Sequence, residues 1–318
     1  MALSFEKFNY GLRPSKQVER KLLIEKLLRL SQIGYPIKDY TYLGFGSVYY
    51  VDFIMFHKFL FMNKLVCVEG SKKTKRMIFN QPYKCIQLEL KKFERVVRKI
   101  SRDDRYVVWL DYDYPVGESM LSDIDNCVAR LRPGSIFLVT TEARPRIPEN
   151  VPRALEDEAM EVQYRFLVDL YQHEFGNLVE NKITRDNLDE GPIVDLFWEA
   201  MTNRIEESLP SGVRYIQLFN YVYADGAQML TIGGMIGTEE DQNRLEETGF
   251  LDEEFICTDR EPMVISVPPL TLREKHWLDS RIDDNLRVKD LPFEIEAAVL
   301  ANYRRFYKQY PMFVEALV

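Results

Sequence analysis

Short apolar runs alternate with amphipathic stretches between residues 40 and 143. The runs YTYLGF (40–45), KLVCVEG (64–70), CIQLEL (85–90), RYVVWLDYD (105–113) and SIFLVTTEAR (135–144) are rich in β-branched and aromatic residues and read as strands. Between them lie VYYVDFIMFHKFLF (48–61), SKKTKRMIFNQPY (71–83), KKFERVVRKISR (91–102) and GESMLSDIDNCVARLRPG (117–134), which read as helices. This order predicts right-handed βαβ crossovers and a parallel sheet covered on both faces. The strands are near-continuous apolar runs, as doubly covered strands should be.

Outside that core the pattern changes. Residues 15–31 predict a helix with apolar positions at Val18, Leu22, Leu23, Leu27 and Leu30, started by Pro14 and Ser15. After the fifth strand, helices are predicted over Ala154–Leu178 and Ile193–Leu209, forming a helical insertion at 151–210. RYIQLFNYVYAD (214–225) and AQMLTIGGMIG (227–237) then flank Asp225-Gly226, a hairpin signal, so the sheet should end in an antiparallel pair. Beyond Glu239 the chain is acidic and helical, with one extended segment, MVISVP (263–268), and two late helices, at 272–282 and 293–310. The expected organisation is an N-terminal helical segment (1–37), an α/β domain (38–237) with seven strands, the last antiparallel, and a mostly helical C-terminal cap (238–318).

Composition narrows the class. With 46% hydrophobic and 29% charged residues, the chain can bury a large core, which excludes global disorder. No apolar run approaches the ~20 residues of a membrane span; the nearest, Val51–Met62, contains Asp52, His57 and Lys58. The first residues show no signal-peptide pattern. Four cysteines without a CxxC or a paired histidine argue against a zinc site or a disulfide framework, and a reducing, cytoplasmic setting is expected. The net charge of −8 is uneven: residues 1–105 carry 22 basic and 10 acidic side chains, the remainder 20 and 40. A basic half suits a phosphate-rich partner. Two other accounts weigh more: solvated helix faces, or halves that face each other or a second subunit, since the acidic remainder would repel a long nucleic acid.

Candidate chemistry collects where a parallel sheet presents it. Gly44-Phe45-Gly46-Ser47, Glu69, Glu89, Asp111 and Asp113 all fall at or next to strand carboxyl ends, the side on which ligands bind in open α/β sheets. A glycine there lets a ligand approach the backbone, and a carboxylate there can accept both hydroxyls of a ribose. The plain alternatives are a tight strand-to-helix turn for the glycines, a helix start for Glu69 and Asx turns for the aspartates. The aromatic residues around the glycine turn, Tyr49 and Tyr50 among them, are core or pocket lining. The histidines His57, His173 and His276 are scattered, with His173 on an insertion that could overhang the site. Arg13 and Lys16 could reach it from the N-terminal side.

Five parallel βα units followed by an antiparallel hairpin resemble the class I S-adenosylmethionine-dependent methyltransferases, and among them bacterial O-methyltransferase-like proteins. The resemblance covers about residues 38–237 and implies a Rossmann-like sheet with S-adenosylmethionine as cofactor. It implies that Leu43-Gly44-Phe45-Gly46-Ser47 wraps the methionine end, that Glu69 holds the ribose, and that Gln87 or Glu89 meets the adenine. Asp111-Tyr112-Asp113-Tyr114-Pro115 would face the transferred methyl, with Asp113 as base and Asp111 on the cofactor side. Tyr42 and Val48 stand where that family usually carries an acidic residue and a third glycine. The acceptor is not indicated. A non-catalytic sensor or complex subunit, such as one from a bacterial defence system, stays open as the alternative, with a protein partner or homodimer. An RNA or DNA methyltransferase is a further alternative, disfavoured because Asp113 is not followed by Pro-Pro-aromatic.

Overall fold

A computed structural model describes residues 13–70, 74–145 and 157–312. Its centre is one eight-stranded sheet in the order β3-β2-β1-β4-β5-β7-β6-β8. The strands are β1 (Thr41–Phe45), β2 (Lys64–Val68), β3 (Ile86–Glu89), β4 (Tyr106–Asp111), β5 (Ser135–Glu142), β6 (Arg214–Ala224), β7 (Gln228–Gly237) and β8 (Met263–Ile265). Only β7 runs antiparallel to its neighbours, β5 and β6. The predicted parallel sheet and terminal hairpin are therefore present. The eighth strand adds to the seven expected: the extended segment near 263 pairs in parallel with Tyr221–Tyr223 of β6. Three residues are too few to read as a strand from alternation alone, and only the free edge of β6 makes them one.

Two apolar layers cover the sheet. On one face pack α1 (Pro14–Gln32), α2 (Val51–Leu60) and α3 (Thr74–Asn80), with Tyr42, Cys67, Trp109 and Leu138 pointing up from the strands. On the other pack the one-turn helix α4 (Phe93–Val96), α5 (Glu118–Val128), and the insertion helices α6 (Asp157–Phe175) and α7 (Pro192–Glu207), against Leu43, Val108, Phe137 and Val139. The predicted stripe of α1 is entirely inside: Val18, Leu22, Leu23, Leu27 and Leu30 are all 0% exposed. After β7 come α8 (Glu239–Glu247), whose Leu245 joins the first layer, and α9 (Leu272–Asp279) and α10 (Ala297–Phe306), which share a small core around Leu278, Leu300 and Tyr303. No helix among the described residues is long and apolar enough to cross a membrane.

One expectation needs correction. The twelve-residue basic helix at 91–102 is only α4 followed by a 3-10 turn at Val97–Lys99. Lys91, Arg95, Arg98, Lys99 and Arg102 would stack like charges at i,i+3 and i,i+4, which disfavours a regular helix. The described part of the insertion packs as a layer on the sheet. Tyr171, Phe175 and Phe197 are buried on the sheet face, and His173 is exposed on α6. The start of the helix predicted from Ala154 lies outside the described residues.

The hairpin does more than turn the chain. Gly226 sits at φ +117, which the two-strand connection requires and a glycine supplies without strain. Asp225 beside it accepts from the backbone N–H groups of Ser15 (3.0 Å) and Lys16 (2.9 Å). The N-terminus of α1 has no capping side chain of its own, so a residue some 210 positions away satisfies its orphan donors. This pins α1 over the carboxyl ends of the strands.

Candidate active site

Strand order reverses between β1 and β4, and the crevice beyond their carboxyl ends holds a cavity of about 430 Å³. That volume lies within the roughly 300–1,000 Å³ of small-molecule sites. Phe45, Gly46 and Ser47 line it from the end of β1, Glu69 from β2, and Asp111, Asp113 and Tyr114 from β4. Arg13, just before α1, and Lys16 and Arg20 on it form the opposite wall, with Asp52 of α2 beside them and Tyr223 and Met229 closing the hairpin side.

Most of the sequence candidates therefore meet in one place. Glu69 is half-buried, with its backbone N–H bonded to the Glu89 carbonyl at 3.0 Å. Asp111 accepts from Lys16 Nζ at 3.0 Å, whereas Asp113 is exposed at the mouth. Glu142, just behind, has its carboxyl pushed up by burial, an effect that Arg144 opposes and Asp113 reinforces.

Two candidates stand apart. Gly44 is inside β1, where a Cβ would lie 2.5 Å from the Tyr42 hydroxyl; it leaves room for a ring packed between Phe53 and Phe56. This accounts for Tyr42 at the position where the resembled family has an acid: the ring belongs to the apolar layer. Glu89 points to the other face of the sheet. Its carboxylate accepts from Gln87 Nε2 and Lys99 Nζ, both at 2.7 Å, and the Lys99 bond holds its pKa below the ordinary carboxylate value.

The glycine turn itself is protein-packed at Gly46. An added Cβ would fall well inside contact distance of Cys67 Sγ and 3.0 Å from Met77 Cε. The chain then passes Ser47 and enters α2 through Tyr50 at φ 48, a left-handed conformation in a non-glycine residue. Tyr50 is held there by burial and by its hydroxyl, which donates to the Met77 carbonyl at 2.9 Å. Nothing in the residue pattern marks that strain.

What sequence reasoning missed is the depth of α1's charges. Lys16, Glu19 and Arg20 are 2%, 0% and 1% exposed. Lys16 Nζ lies 2.9 Å from Glu19 Oε2, 3.0 Å from Asp111 Oδ1 and 4.3 Å from the centre of the Trp109 ring. Burial works against its charge, but Asp111 and then Glu19 outweigh it and hold Lys16 protonated beyond the ordinary lysine range. Burial pushes the Glu19 carboxyl up, with Lys16 opposing. Arg20 Nε donates to Asp52 Oδ1 at 2.5 Å. Three charges within five residues beside an apolar stripe was the available signal, and it reads equally as a solvated face.

The donor set suits a ligand with hydroxyls at one end and zwitterionic groups at the other: Glu69 as a half-buried acceptor, and fixed carboxylates and cations across the cavity. The sheet order is that of the Rossmann-like fold of class I methyltransferases. Residues 8–318 match the family described as "Putative O-methyltransferase", and the chain belongs to that family. Among solved structures it is similar to a chain of a fibrillarin/Nop5p complex (10% identity, TM-score 0.29, covering 41% of this chain and 61% of that one). It is similar also to an O-methyltransferase family protein from Burkholderia thailandensis (11%, TM-score 0.34, covering 69% and 60%). A third is the N-methyltransferase NodS from Bradyrhizobium japonicum (11%, TM-score 0.34, covering 69% and 97%). The chain thus spans about 60% of the length of the first two. A comparison with curated proteins gives no match.

Proposed function

We propose that the protein transfers a methyl group from S-adenosylmethionine to an oxygen of its acceptor, using the strand-end cavity. The observation that carries this is the convergence of Ser47, Glu69, Asp111 and Asp113 on one cavity at the carboxyl ends of β1, β2 and β4, in a chain of this family. Glu69 would accept the ribose hydroxyls, and the backbone at Gly46 and Ser47 would border the methionine end. S-adenosylmethionine, when bound, supplies an electrophilic methyl on a sulfonium centre. The chain's task is then to align the acceptor, exclude water and take a proton. Asp111, tied to Lys16, and Asp113 set carboxylates beside the cavity, where a cationic centre is favoured. Asp113, exposed at the mouth and free of that tie, is placed to take the proton of an incoming hydroxyl. Glu89 has no part in this set.

Calorimetry with S-adenosylhomocysteine tests the reading. Glu69→Ala should weaken binding about ten-fold, the size expected when polar groups lose a charged partner. Asp113→Asn should leave that affinity within a few-fold and, with an accepting substrate in hand, lower turnover by about 10²-fold. Equal affinity in wild type and Glu69→Ala would refute the placement of the ribose, and unchanged turnover in Asp113→Asn would refute the base.

A further inference from the structure

A second cavity, of about 510 Å³, opens on the face of the sheet covered by α4 and α5. It lies toward the amino-terminal ends of the strands, where Thr41, Lys64 and Tyr106 are in register. Its origin is the shortened β3–β4 crossover. A parallel sheet needs a helix over each face, and here one helical turn and a 3-10 turn cover β1–β3. Leu43 and Val66 are left as an apolar floor, with Val96 and Ile100 overhanging it. Val66 is only half-buried although β2 is flanked on both sides.

The rim is basic. Lys64 and Lys84 are exposed, and no carboxylate among the described residues lies within ion-pair distance of either. The one carboxylate in the lining, Glu89, is already shared between Lys99 (2.7 Å) and Lys91 (3.5 Å). An apolar floor with surplus cations at the rim matches an acid carried on an apolar body. We propose that this cavity is a second ligand site, independent of the strand-end cavity, which binds a small anion with an aromatic or aliphatic body lying on Leu43 and Val66 and its acid group between Lys64 and Lys84.

The probe is anilinonaphthalene sulfonate, an aromatic anion, titrated by fluorescence into the folded full chain. One saturable site is expected. The uncharged analogue phenylnaphthylamine should bind about ten-fold more weakly, as should the sulfonate to a Lys64→Glu/Lys84→Glu variant with an unchanged circular dichroism spectrum. Phe79→Ser, which removes the 87%-exposed ring of α3, should leave affinity unchanged. No binding, equal binding of the uncharged analogue, or equal affinity in the charge-reversed variant would overturn the proposal. So would loss only in Phe79→Ser, which would place the probe on the α3 surface, or displacement by S-adenosylhomocysteine, which would place it in the strand-end cavity. The analogue comparison needs no variant and decides the matter even if the charge-reversed chain does not fold.

Discussion

Replacing Lys16 with methionine keeps an unbranched side chain of similar reach and removes only the ammonium. In the native structure the Lys16 side chain is 3% exposed and its ammonium bridges Glu19 and Asp111 at 2.9 and 3.0 Å. Asp111, with 23% of its side chain exposed, can turn toward water; Glu19, at 0%, cannot. The variant therefore leaves a buried carboxylate without its cation, for which the expected cost is about 3–5 kcal/mol. Removing the orphan as well should recover much of this, so Lys16→Met/Glu19→Gln should be less destabilised than Lys16→Met alone, with a coupling of about 2 kcal/mol in the double-mutant cycle. Urea unfolding at pH 7 measures both quantities. The pH dependence has a definite sign. Burial already raises the Glu19 carboxyl in the folded protein, and losing Lys16 raises it further. A carboxyl with a raised folded pKa costs nothing while protonated in both states and costs more as pH rises through the interval between its unfolded and folded values. The Lys16→Met penalty should thus shrink as the pH is lowered toward the range in which Glu19 is protonated in both proteins. A loss below about 1 kcal/mol at pH 7, or no recovery with Glu19→Gln, would refute the reasoning that this ion pair is what makes the buried helix face tolerable.

Asp225→Ala should cost about 1–2 kcal/mol, because two N–H donors at the start of α1 lose their acceptor, and a proteolysis assay should show that end of the helix cut sooner. Gly46→Ala should destabilise by about 1–3 kcal/mol through its clash with Cys67 Sγ, and Cys67→Ala in the same chain should relieve part of that loss in a denaturant titration. Asp123, which accepts from the Tyr112 hydroxyl at 2.9 Å, has its carboxyl pushed up to about 6, first by burial. Its contribution to stability is complete below the ordinary carboxylate range and is lost as pH rises from about 4 to about 6, so Asp123→Asn should gain stability relative to wild type across that interval. A constant difference from pH 4 to pH 7 would rule this out.

The residue pattern alone determined the sheet. Five apolar runs separated by amphipathic stretches, then Asp-Gly between two longer runs, predict the observed β1–β7, because burial on both faces demands continuous apolar strands and a two-strand connection demands a glycine with positive φ. The convergence of Ser47, Glu69, Asp111 and Asp113 was legible for the same reason: each stands at the end of a parallel strand, and parallel strands bring their ends to one edge. What lay outside the pattern depended on contacts between distant segments. Glu89 ends its strand as Glu69 does, yet its side chain points to the opposite face, where Lys99 holds it. Gly44 and Gly46 look like a ligand cradle in the sequence, but Tyr42 and Cys67 occupy the space a Cβ would need. MVI becomes a strand only because β6 has a free edge, and 91–102 fails to become a full helix because its basic side chains repel one another. The largest difference is α1. Its apolar stripe was evident, but the burial of Lys16, Glu19 and Arg20 beside it depends on Asp225 fastening the helix to the hairpin and on Asp111 and Asp52 waiting opposite. Charges of this kind are stable inside a protein only when the partner's position is fixed, and position is what tertiary structure decides.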